Sequence, residues 1–120
     1  MRGVVIRGGG IAGQVLRREL ALKGIFCRLE DRAIFPRDKV CGGVLQYDSW
    51  EYLNSIFTLR TPVRKIHTLV HFLGWRKISS MRLRQEMVYA PRLVLDEDLN
   101  SQNQTRFPDK KEKMFRTHKI

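Results

Sequence analysis

Acidic residues are scarce in this chain: 12 Asp and Glu stand against 23 Lys and Arg, a formal charge of +11 over 120 residues. Such an excess admits a small basic protein that binds nucleic acid or another anionic partner. The cations are scattered rather than gathered in one stripe, and no zinc-finger spacing, aromatic RNA-binding motif or basic zipper accompanies them. Cysteine is also rare. Cys27 and Cys41 make no disulfide framework, which points to a reducing, cytoplasmic setting. No apolar run approaches the ~20 residues of a membrane-spanning helix, and Met1-Arg2-Gly3 leads toward a strand without a secretory signal. His67 and His71 lie on one candidate strand, but no third ligand type clusters with them, so no metal site is expected. The 42% hydrophobic content suits one globular core, which at this length hides roughly two-thirds of the extended-chain surface.

Glycine, by contrast, is concentrated where it can act. Val4-Val5-Ile6 reads as a strand, and Gly8-Gly9-Gly10-Ile11-Ala12-Gly13 separates it from the helical stretch Gln14 to Lys23. A strand, a G-x-G-x-x-G turn and a helix together form a phosphate-binding device. Gly8 permits the tight turn, Gly10 lets a pyrophosphate approach bare backbone, and Gly13 lets helix and strand pack closely. The backbone of this turn, Ile11 and Ala12 included, then aims the unpaired N–H groups of the helix start at the anion. The competing reading is a purely structural turn.

A second strand ending in an acid should follow. Gly24 supplies a helix C-cap, and Ile25-Phe26-Cys27-Arg28-Leu29 reads as a short strand ending in Glu30-Asp31. That is roughly the 20-residue separation expected for a carboxylate that accepts from a ribose hydroxyl. An acid here would repel a ribose 2′-phosphate. Alternatively, Glu30 and Asp31 merely solvate a strand end. The fold class these signals predict is α/β: a Rossmann-like FAD/NAD(P)-binding β-α-β unit, incomplete, with a small β-rich segment after it.

The string Asp31-Arg32-Ala33-Ile34-Phe35-Pro36-Arg37-Asp38-Lys39-Val40-Cys41-Gly42-Gly43 resembles the segment after the second strand in geranylgeranyl-reductase-like flavoproteins. These belong to the wider group of FAD-dependent oxidoreductases that includes aromatic hydroxylases and flavin-dependent halogenases. The resemblance implies that Asp31 binds the FAD ribose with Glu30 as its neighbour. It also implies that Arg37 and the Lys39 to Gly43 loop, with Cys41, Gly42 and Gly43, run along the cofactor toward its isoalloxazine ring. Pro36 breaks regular structure, Arg37 and Lys39 place cations beside an anionic cofactor, and Gly42-Gly43 leaves room for a flat ring. Cys41 is either a packing residue beside the flavin or a redox-active thiol. Further on, Tyr89 to Leu99 is similar to the family's returning strand and following helix, with Arg92, Leu95, Asp96 and Leu99 on an Arg-x-x-Leu-Asp-x-x-Leu pattern. The resemblance gives Arg92 a part in fixing the FAD; without it, Arg92 is an exposed charge on an amphipathic turn.

Between these matches, Ser49 to Ile56 reads as a helix packing Trp50, Leu53 and Phe57. Ile66 to Leu73 reads as a strand apolar on both faces, and Gly74-Trp75 turns the chain so that Ile78 to Leu83 pairs back as a hairpin. Four positions depart from the family pattern: Arg7 before Gly8, Arg17 and Arg18 in the first helix, one of which should face the sheet, and Arg28, which interrupts the second strand. The resemblance covers roughly residues 3–100 and is strongest over 3–43. Relatives run to several hundred residues and use NAD(P)H as external reductant. The expectation is therefore a FAD-binding N-terminal part, residues 1–100, truncated and without a catalytic residue of its own, followed by a basic, disordered tail over 101–120.

Overall fold

The computed structural model describes residues 3–107. Strands β1 (Val4–Arg7) and β2 (Cys27–Glu30) pair in parallel, with Val4 opposite Cys27 and Arg7 opposite Glu30. A parallel pair needs a crossover, and helix α1 (Ile11–Leu22) supplies it. The helix starts before Gln14, because Gly10 is extended (φ −73°, ψ −167°) and the chain turns helical directly after it. It ends in a Schellman cap. Gly24 sits at φ +71°, its N–H donates to the Ala21 carbonyl (3.0 Å), and the Ile25 N–H donates to the Leu20 carbonyl (2.9 Å). That cap takes the Ile25 amide, so β2 begins at Cys27 rather than at Ile25.

The second sheet is antiparallel. Its strands β3 (Val44–Leu45), β4 (Arg64–Leu73) and β5 (Arg76–Tyr89) lie in the order β3-β5-β4. Helix α2 (Tyr47–Ile56) follows β3, and helix α3 (Arg92–Arg106) follows β5. Only Val88 and Tyr89 of β5 are flanked on both edges, by β3 and by the start of β4. Farther out, β4 and β5 form a two-stranded ribbon with two register shifts, closed at Gly74 (φ +57°) and Trp75. The expected hairpin is present, and β5 is longer than the Ile78 to Leu83 segment. The chain is thus a mixed α/β protein that opens on a parallel β-α-β unit, with three helices and two small sheets among its described residues.

One boundary differs from expectation. Residues 101–106, assigned to a disordered tail, continue α3, and Asn103 within them is fully buried. The polar composition misleads because Asn103 bonds across to Gln14 and Gln102 to Thr58, while the other side chains of this turn stay exposed. Residues 108–120 of that expected tail lie outside the described residues.

The interface is a polar seam between α1 and α3. The Asn103 Nδ2 donates to the Gln14 carbonyl (2.9 Å) and to Gln14 Oε1 (2.8 Å). Gln14 Nε2 donates to Asn100 Oδ1 (3.0 Å) and to the Gly9 carbonyl (3.2 Å). Arg18 joins the seam through Nε, which donates to Asn103 Oδ1 (3.0 Å), while its Nη1 donates to the Ile56 carbonyl (3.0 Å). Its guanidinium also lies 4.1 Å from the centroid of the Phe57 ring. Arg17 and Arg18 are both buried, whereas the sequence suggests that one of them faces the sheet.

Two apolar clusters flank α1. Leu53, Phe57, Ala90, Leu95 and Leu99 form one, with Ile11 and Val15 packed against it. Ile6, Cys27 and Leu29 form the other, with Leu20. The opposite face of the β1–β2 pair is polar: Arg7 Nε lies 3.5 Å from Glu30 Oε2, and Arg28 pairs with the other oxygen of the same carboxylate.

Candidate anion-binding groove

The glycine turn and the start of α1 form the floor of a groove. Gly8 sits at φ +110°, a conformation that disfavours a side chain and lets β1 turn sharply. A Cβ on Gly13 would stand 1.8 Å from the Gly8 carbonyl oxygen, so helix and turn are in direct backbone contact. A Cβ on Gly10 would meet, among the described residues, only guanidinium ends, Arg92 Nη2 at 3.4 Å and Arg37 Nη2 at 3.8 Å. The three glycines therefore differ in what they do: Gly8 turns the chain, Gly13 packs it, and Gly10 keeps backbone open beneath two cations.

The start of α1 carries no side-chain cap, and no acid stands in its first turn. Its first intrahelical bond runs from the Gln14 N–H to the Gly10 carbonyl (3.0 Å). The amides of Ile11, Ala12 and Gly13 precede that bond and have no intrahelical acceptor, so partial positive charge faces the groove.

Asp31 closes one end. Its Oδ2 accepts from the Gly9 N–H at 2.6 Å and its Oδ1 accepts from the Ala33 N–H at 2.7 Å. A carboxylate has about four acceptor positions, so these two bonds leave capacity for further donors such as ribose hydroxyls. Glu30 is engaged differently, by Arg7 and Arg28 on the polar sheet face.

Arg37 and Arg92 are held together beside Gly10 by a residue outside the expected site. Asp96, fully buried, takes Arg37 Nη1 at 2.7 Å and Arg92 Nε at 2.7 Å, and the Arg92 Nη2 donates to it at 2.9 Å. Arg37 also lies over the Phe35 ring, 4.7 Å from its centroid. Two guanidiniums on one carboxylate leave a net positive charge beside Gly10. The Arg92–Asp96 half of this clamp was visible as an i,i+4 pair in a helical stretch; the Arg37 half depends on the tertiary fold.

The groove has two lobes that share Arg7, Gly8 and Lys39. One, about 590 Å³, adds Asp31, Arg32 and Arg37. The other, about 530 Å³, adds Gly10, Ala12 and Arg92. Arg7, which departs from the family pattern, and Lys39, expected beside the cofactor, both stand next to the glycine turn.

Cys41, Gly42 and Gly43 lead from the groove to β3. Gly43 sits at φ +74°, its carbonyl accepts from the Ala90 N–H (2.8 Å), and a Cβ there would stand 2.9 Å from the Ala90 oxygen. It is a packing glycine. Gly42 faces open space. The exposed Cys41 thiol is held below its ordinary pKa, chiefly by the Gly43 N–H and then by Arg92, whereas burial pushes the Cys27 thiol up against the opposing charge of Arg17.

A lower pKa means a larger thiolate fraction at a given pH, and the thiolate is the nucleophile. Iodoacetamide at neutral pH is therefore expected to alkylate Cys41 well ahead of Cys27. Arg92→Gln removes one thiolate-stabilising donor, raises the Cys41 pKa and slows the labelling several-fold; peptide mass spectrometry follows both rates.

His67 and His71, set aside as metal ligands, have other neighbours: Glu86 at 3.6 Å for His67 and Ser79 Oγ at 2.8 Å for His71.

No protein-family model matches the chain, and no curated protein matches it.

Proposed function

We propose that this chain is the FAD-binding part of a flavin-dependent oxidoreductase of the geranylgeranyl-reductase-like kind, with Gly8, Gly10 and Gly13 at the pyrophosphate and Asp31 at the ribose. The observation that carries the proposal is the open Gly10 backbone. It lies at an uncapped helix start, beneath Arg92 and Arg37, in a groove that ends at a carboxylate with acceptor capacity left. The residues fit a dinucleotide diphosphate: backbone donors from Ile11 to Gly13, a net cation from the Arg37–Asp96–Arg92 clamp, and Lys39 on the rim. The family resemblance puts the isoalloxazine end of such a cofactor toward Cys41 and Gly42.

When bound, the flavin would supply the hydride and electron chemistry, with NAD(P)H as external reductant in complete relatives. The residues of this chain bind and orient; none of them is assigned a catalytic role. The alternative of a nucleic-acid-binding protein is less well supported, because Arg7, Arg28, Arg37, Lys65 and Arg92 are engaged by carboxylates and Arg17 and Arg18 are buried.

Titration of FAD against the purified chain tests the proposal. Saturable quenching of flavin fluorescence is expected, and Gly10→Val is expected to abolish it while the far-ultraviolet circular dichroism stays unchanged. No quenching by the folded wild-type chain would remove the flavin assignment.

A further inference from the structure

We propose that the tip of the β4–β5 hairpin docks on the interfacial layer of an anionic lipid bilayer. The ribbon projects beyond β3 and both apolar clusters, and large apolar side chains crowd its end. Trp75 is 102% exposed, Leu73 73%, Phe72 61% and Ile78 59%. Cations are interleaved with them: Leu73 pairs across the ladder with Arg76, and Phe72 with Lys77. Residues 68–85 contain Arg76, Lys77, Arg82 and Arg84 and no Asp or Glu at all. Arg76 and Lys77 make no ion pair with an acid among the described residues.

This composition at the exposed end of a two-stranded ribbon suits one kind of surface. Tryptophan with neighbouring aliphatic side chains settles at the polar–apolar boundary of a bilayer, where its ring is part apolar and part hydrogen-bonding. Each Lys or Arg held near an anionic leaflet favours association by about fivefold. The unpaired strand edges carry backbone N–H and C=O groups that hydrocarbon would not satisfy. Penetration therefore stops at the turn, and the side chains of residues 72 to 78 form the contact. A second copy of this chain is a poor occupant, because two tips meeting would bring their Arg76 and Lys77 charges together.

Sedimentation of the full chain with phosphatidylcholine–phosphatidylglycerol vesicles, against phosphatidylcholine alone, tests this. Binding to the anionic vesicles is expected, with a blue shift of tryptophan emission that Trp75→Phe removes. Leu73→Ser with Trp75→Ala should weaken binding by about tenfold or more, and so should Arg76→Glu with Lys77→Glu. All four positions lie outside both cores, and circular dichroism confirms that the variants fold. Failure of the wild type to bind overturns the proposal. So does binding that survives the apolar double variant while salt abolishes it, since that describes attraction spread over the whole chain. A concentration-dependent dimer lost in the same variant, without vesicle binding, would assign the tip to self-association and equally overturn it.

Discussion

Gly13→Ala is expected to destabilise the β1–α1–β2 unit strongly. The added Cβ would lie 1.8 Å from the Gly8 carbonyl oxygen, and that obstacle is backbone at a positive-φ turn, which no rotamer change can move. Relief requires α1 to slide away from β1. That sliding would open the Ile6–Cys27–Leu29 cluster and pull Gln14 off Asn100 and Asn103. Overpacking of this severity costs about 3 kcal/mol, the upper part of the usual range, a fall in Tm of roughly 10 °C for a domain of this size. Thermal unfolding by circular dichroism measures it. Gly10→Ala is the matched control: its Cβ meets only movable guanidinium ends and its backbone is extended, so Tm should change little. A Gly13→Ala chain as stable as the wild type would refute the direct contact between helix and turn.

Asp96→Ala is the second large effect. The carboxylate is fully buried and shared by Arg37 and Arg92, whose side chains are only 15% and 12% exposed. Removing it leaves two guanidiniums close together without the charge that reconciles them. Breaking a buried ion pair in this way costs about 3–5 kcal/mol, and the residual exposure of both arginines places the expected loss near the lower end, about 3 kcal/mol. Urea denaturation reads that loss. The same vacancy turns the clamp into a bare pair of cations, so sulfate should restore stability to Asp96→Ala more strongly than it adds stability to the wild type. A variant insensitive to sulfate would show that Arg37 and Arg92 do not converge on the groove.

How much of this was legible in the sequence follows from the range of the interactions. The glycine turn and the Gly24 cap are governed by residues a few positions apart, and their local chemistry was sufficient to locate them, whereas the helix after Tyr89 was legible only through the family resemblance. β3 was missed because Val44 and Leu45 carry no strand pattern of their own; they are strand only because Val88 and Tyr89 lie beside them. The clamp on Asp96 was half visible, since Arg92 lies one turn before it, whereas Arg37 arrives from a distant loop. Residues 101–106 were misassigned for a related reason: Asn103 is polar by composition, yet its partner Gln14 is 89 positions away. The apolar periodicity of the hairpin was read correctly as strand, but periodicity cannot say what covers a face, and here Phe72, Leu73 and Trp75 face outward. For the site residues, sequence placed Gly8, Gly10, Gly13, Asp31, Arg37 and Arg92, which line one groove. It did not foresee that Asp31 is bonded to the Gly9 amide or that Gly43 serves packing against Ala90.

The seam between α1 and α3 fixes alignment more than it adds strength. An interface of leucines would tolerate a slip by a turn, trading one apolar neighbour for another at little cost. Gln14, Asn100, Asn103 and Arg18 form their mutual bonds in a single register, and any slip would bury donors and acceptors without partners. Because Gln14 also holds the Gly9 carbonyl, and α3 carries Arg92 at its first turn, that one register sets where the cation stands over the glycine loop. The seam works as a keyway: it cuts the possible positions of α3 to one, and the groove inherits its shape from that choice.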